Sequence, residues 1–92
     1  GGARRFYGLL LKNAAPSGPL AAQATLRLGV LASQTGEAAV ARDLLQSVLQ
    51  KWPKNLETAA EAQFQLGVLY ETLFKNREWA TRAYDAVLAN YP

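Results

Sequence analysis

Apolar residues in this chain recur every three to four positions, the spacing of one helix face, and nowhere alternate with polar ones as in a half-buried strand. Phe6, Leu9 and Leu10, flanked by Tyr7 and Leu11, predict a first helix over about residues 3–13. Pro16-Ser17-Gly18-Pro19 stops it, and Pro19 suits the first position of a second helix over 19–34, where Ala21, Ala24, Leu28 and Leu31 share a face. Thr35-Gly36 reads as a tight turn, glycine supplying the left-handed backbone that ends a helix. A third helix, 37–52, carries a stripe of Ala41, Leu44, Leu45, Val48 and Leu49 and stops at Pro53. Asn55 is the expected N-cap of a fourth helix, 56–74, and Lys75-Asn76 turns the chain into a fifth, 77–91. The chain has no isoleucine and no strand-like run, so the class is all-α.

The pattern repeats. Leu-Gly-Val-Leu occurs at residues 28–31 and again at 66–69, 38 positions on. Each copy is followed by an alanine (Ala41, Ala80), a Val-Leu pair, and an aromatic-proline stop, Trp52-Pro53 or Tyr91-Pro92. The stops Pro16, Pro53 and Pro92 lie 37 and 39 residues apart, so the first helix aligns with the second half of a unit. In that alignment Ala3, Tyr7, Leu10 and Leu11 match Ala80, Tyr84, Val87 and Leu88. Residues 1–16 then form the second helix of a preceding repeat, 17–55 one repeat and 56–92 another, together one fragment of a longer array. Self-similarity at this period marks units that bury a core by stacking on their neighbours.

Composition narrows the chemistry. With no cysteine, histidine or methionine, disulfides, thiolate nucleophiles, the commonest general base and the commonest metal ligands are all missing. Ser17, Ser33 and Ser47 have no histidine partner, and no phosphate loop or dinucleotide fingerprint is present. We expect no enzyme, no cofactor and no metal. No apolar run reaches the roughly 18–20 residues of a membrane span. The net charge of +3 is uneven: Arg4, Arg5, Lys12 and Arg27 stand in the first 36 residues without an acid. These bases are sparse and not interleaved with stacking aromatics, so a solvated face is the simpler reading and nucleic acid is not an expected partner. Glu57 and Glu61 lie one turn apart at a helix start, where carboxylates complement the helix dipole more often than they do acid–base work.

The two units resemble the tetratricopeptide repeat, a helix–turn–helix marked W-x2-L-G-x2-Y, then A-x3-F, then P. Leu28-Gly29, Ala32, Ala41, Leu45 and Pro53 carry the resemblance in the first unit, and Leu66-Gly67, Tyr70, Ala80, Tyr84 and Pro92 in the second. From glycine to proline the first unit spans 24 residues, the family spacing, and the second 25, with one extra residue in its internal turn. Thr25 and Gln63 stand where the family has a leading tryptophan, and the spacer between units is longer than usual. Glycine and the facing alanine would let the two helices of a unit approach closely, and large residues such as Tyr84 would fill the space between units. The resemblance implies a short right-handed solenoid of about five helices. The long spacer and aromatic-proline endings are similar to tetratricopeptide proteins of the bacterial envelope, such as the periplasmic partner of the Tol system and an outer-membrane assembly lipoprotein. A periplasmic or outer-membrane-associated location is implied, with the cytoplasm as the other reading.

A second apolar stripe remains on the first helix of each unit, with Leu26 and Val30 matched by Phe64 and Val68. In the resembled family these positions line a concave groove that holds peptides. Carried over, the partner-binding set is Gln23, Leu26, Val30, Ser33 and Gln34, then Glu61, Phe64, Val68, Glu71 and Thr72. The other reading of the stripe is that neighbouring first helices simply pack against each other. The function implied is a protein–protein interaction scaffold, its partner a protein or peptide. Two alternatives stay open: a structural spacer or homo-oligomerisation segment, and a helical accessory domain of an enzyme or regulator. Trp79, Tyr84 and Val87 lack a covering helix in this reading, so self-association or helix exchange between chains is expected.

Overall fold

The structure, a computed structural model, describes residues 19–91, which form four helices. These are α1 (Pro19–Gln34), α2 (Ala38–Lys51), α3 (Leu56–Thr72) and α4 (Arg77–Asn90). The helix expected over residues 3–13, with Arg4, Arg5 and Lys12, lies outside the described residues, as does Pro92. Helix types and order follow the apolar spacing, and the ends differ by a residue or two. Trp52 and Tyr91 are C-caps rather than last helical residues, their N–H groups donating to the carbonyls of Val48 (3.0 Å) and Val87 (2.9 Å).

The two internal turns are built alike but not identically. Gly36, at φ 81°, closes α1: its N–H donates to Ser33 O (3.1 Å) and that of Glu37 to Ala32 O (2.8 Å). That bond pair is the Schellman ending, and the positive φ is why glycine stands there. At the equivalent place in the second turn Lys75 adopts φ 52°, and Asn76 N–H donates to Tyr70 O (2.8 Å). The second closing bond spans one residue more than the first. Phe74 N–H donates to Leu69 O (3.2 Å), widening the end of α3 to take up that residue. Asn76 then caps α4, its Oδ1 accepting from Trp79 N–H at 3.1 Å. Asn55, the expected cap of α3, makes no side-chain cap bond, because its backbone (φ −83°, ψ 77°) is outside the extended region that Asn76 occupies.

Helix α1 packs along α2 and α3 along α4, giving two hairpins. Helix α3 also seats on α2 and more lightly on α1, while α2 and α4 do not pack together. The thin dimension of 14 Å fits two helix layers, an interaxial spacing of roughly 8–10 Å plus a backbone radius on each side. Alanine makes that spacing short: of the buried apolar residues, Ala32, Ala41, Ala62, Ala80 and Ala83 sit where helices meet. Leu45, Val48 and Leu69 are enclosed fully and knit the hairpins into one core with Leu26 and Leu66.

The glycines of the duplicated tetrapeptide are packing sites. A Cβ on Gly29 would lie 2.8 Å from Leu45 Cδ2, and one on Gly67 would lie 2.5 Å from Tyr84 Cε1. Tyr84, expected to fill the space between units, covers the glycine of its own hairpin, and Leu45 does the same in the first. Thr25 and Gln63, in the place of the family's tryptophan, are also satisfied locally. Thr25 Oγ1 donates to Ala21 O (2.8 Å), and Gln63 Nε2 crosses from α3 to Ala83 O of α4 (3.3 Å).

Candidate partner-binding groove

Because α3 touches α1 only lightly, the amino-terminal halves of these two helices leave a groove of about 690 Å³ between them. Gln23 and Arg27, one turn apart, stand on the α1 side. Glu57, Glu61 and Phe64 stand on the α3 side, and Val87 of α4 also lines it. Phe64 is 45% exposed, its ring held against Tyr84 with centroids 5.6 Å apart. Its counterpart Leu26 is 3% exposed and belongs to the core, so it is a floor and not a free anchor.

Of the ten positions carried over from the family, the groove brings together Gln23, Leu26, Glu61 and Phe64. The other six lie towards the carboxyl ends of α1 and α3 and do not line it. Val30 packs against the core, and Val68 is half-buried. Ser33 gives its carbonyl to the Gly36 turn, and Gln34 is exposed beside it. Thr72 Oγ1 donates to Val68 O (2.8 Å). Glu71 accepts from the Tyr84 hydroxyl at 3.1 Å, which ties it to α4. Burial first, then the hydrogen bond to Glu71 and its charge, push the Tyr84 phenol above its ordinary value.

Arg27, Glu57 and Val87 line the groove without having been placed in the partner-binding set. Arg27 is one turn beyond Gln23, and Glu57 one turn before Glu61, so extending the helical period by one step reaches both. Val87 comes from another helix and has no such signal.

A second cavity, about 620 Å³, opens on the far side between α2 and α4, floored by α3. Here Trp79, expected at an uncovered end, meets Tyr70 edge-on with centroids 5.6 Å apart. Arg42 and Arg82 flank it, each in a local ion pair, with Asp43 (3.3 Å) and Glu78 (2.7 Å).

The described residues form an all-helical unit of two packed hairpins with a groove between their first helices. Residues 23–55, about a third of the chain, match the sequence model of the tetratricopeptide repeat. The match runs over most of α1, all of α2 and the turn that follows, so the first hairpin is similar to that family's unit. No curated protein and no solved structure matches the chain. Tetratricopeptide repeats generally mediate protein–protein interactions and are typically not enzymes. Among the described residues no helix is long and apolar enough to cross a membrane.

Proposed function

We propose that this chain is a protein-interaction scaffold that holds a partner segment in the groove between α1 and α3. The carrying observation is Phe64, 45% exposed on the groove wall where its repeat counterpart Leu26 is 3% exposed. A large aromatic left open beside a cleft is the kind of residue on which interface energy concentrates. Covering the exposed half of its ring would contribute about 1–1.5 kcal/mol, or roughly five- to tenfold in affinity. A partner recovered on the immobilised chain is therefore expected to bind Phe64→Ala that much more weakly at unchanged helix content. Equal binding by the two forms rejects the groove as the contact. Gln23 and Glu61 beside the ring would set the register of the bound segment.

The longer inter-unit spacer and the Trp52-Pro53 and Tyr91-Pro92 endings support a place in a bacterial envelope assembly, periplasmic or outer-membrane-associated. Fractionation of cells carrying the tagged protein tests this; recovery only with the cytoplasm rejects it.

A second reading is a homo-oligomerisation segment, and Leu88, 75% exposed one residue from Val87, favours it. Light scattering at high micromolar concentration is expected to show self-association that Leu88→Glu abolishes. Monomer at all concentrations rejects this reading.

A further inference from the structure

The groove walls differ in charge, and among the described residues the charges on them have no ion-pair partner. Glu57 and Glu61 lie one turn apart on α3 and both face the cleft, yet neither has a hydrogen-bond or ion-pair partner among the described residues. Like charges at this spacing repel. The next step along the face is Gln65, which brings no cation. Helix α4 shows the compensated version of the same spacing, where Glu78 is answered one turn later by Arg82 at 2.7 Å. The helix dipole accounts for Glu57, in the first turn of α3, but its influence fades before Glu61. Arg27 across the cleft is likewise unpaired and within 4 Å of neither acid.

An occupant resting on Phe64 would sit beside the Glu57 and Glu61 carboxylates on one flank and the Arg27 guanidinium on the other. Resting on the groove reading above, we propose that the occupant is an apolar protein segment carrying a lysine or arginine. Its apolar side chain lies on Phe64 and its cation is received by Glu57 and Glu61. Arg27 fixes the polarity, because the reversed orientation would set the cation against a like charge.

The probe is a displayed library of random peptides, selected on the intact chain and resynthesised for affinity measurement. Selected peptides are expected to carry Lys or Arg within one helical turn or two residues of an apolar anchor. Glu57→Gln/Glu61→Gln should weaken them about threefold to tenfold, less so at high salt, and Phe64→Ala should weaken them as well. Selected peptides that bind through Phe64 but show no basic enrichment, or that keep full affinity in the double variant, overturn this inference and leave the groove reading standing. If nothing is selected, or if Phe64→Ala leaves all affinities unchanged, the groove reading falls and this inference with it.

Discussion

Gly67 and Tyr84 are in direct contact across the second hairpin, so close that one added carbon on the glycine would come within 2.5 Å of the ring. Gly29 and Leu45 hold the same relationship in the first hairpin at 2.8 Å. Gly67→Ala gains about 0.8–1 kcal/mol of helix propensity but overpacks the contact by about 1–3 kcal/mol, for a net loss of stability. In a Tyr84→Ala background the overlap is gone, and the same glycine substitution should become stabilising. Urea unfolding of the four forms tests this; an unchanged sign in the two backgrounds would show that the contact does not dictate the glycine. Gly29→Ala is expected to cost at least as much as Gly67→Ala, because Leu45 is fully enclosed and has nowhere to turn.

Lys75 and Gly36 share a left-handed backbone, at φ 52° and 81°, but only one of them is a glycine. Lys75→Gly should raise stability by about 0.5–1 kcal/mol by removing the steric cost at that position. Gly36→Ala should lower it by about 1 kcal/mol or more. Thermal melts of both variants are the check, and a destabilising Lys75→Gly would contradict the account of the turn.

Leu26 and Phe64 are equivalent in sequence yet should respond oppositely to truncation. Leu26→Ala opens a cavity in the core and is expected to cost about 2–5 kcal/mol of folding stability. Phe64→Ala removes a half-exposed ring and should cost about 1 kcal/mol, its main effect falling on partner binding. Comparable losses of stability in the two variants would mean that Phe64 is a core residue.

Tyr84 makes stability fall at alkaline pH. Its folded-state value is raised, by burial and then by Glu71, so the unfolded chain releases the phenolic proton first. The contribution is complete below about pH 10, the free tyrosine value, and is lost as pH rises from there through the folded value. The difference between Tyr84→Phe and the parent in unfolding free energy should therefore change only above about pH 10. A difference that stays flat through that range would remove Glu71 and burial as the cause.

The helices were legible because helix-forming stripes such as Ala41, Leu45 and Val48 obey one period, and the proline stops bound them. The duplicated glycines were legible as close-approach points, but not what approaches them, since Leu45 and Tyr84 come from the neighbouring helix. The groove was half legible. Phe64 follows from the apolar phase of its helix and Gln23 and Glu61 from the family resemblance, whereas Val87 and the pairing of Glu71 with Tyr84 depend on how separate helices meet. Leu26 and Phe64 were indistinguishable in the pattern because both are apolar at the same phase; only the seating of α3 on the first hairpin buries one and leaves the other open. The cavity around Trp79 draws on three helices, and no single stripe announces it.

The wider end of α3 has a consequence for how this architecture tolerates change in length. Its extra residue is swallowed before Asn76, so Tyr84 meets Gly67 of α3 as Leu45 meets Gly29 of α1. Chain length and packing phase are thereby uncoupled at that one joint. A unit built this way absorbs an insertion locally without handing a rotational error to whatever packs beyond it, and the same joint offers a place where added sequence would leave the groove untouched.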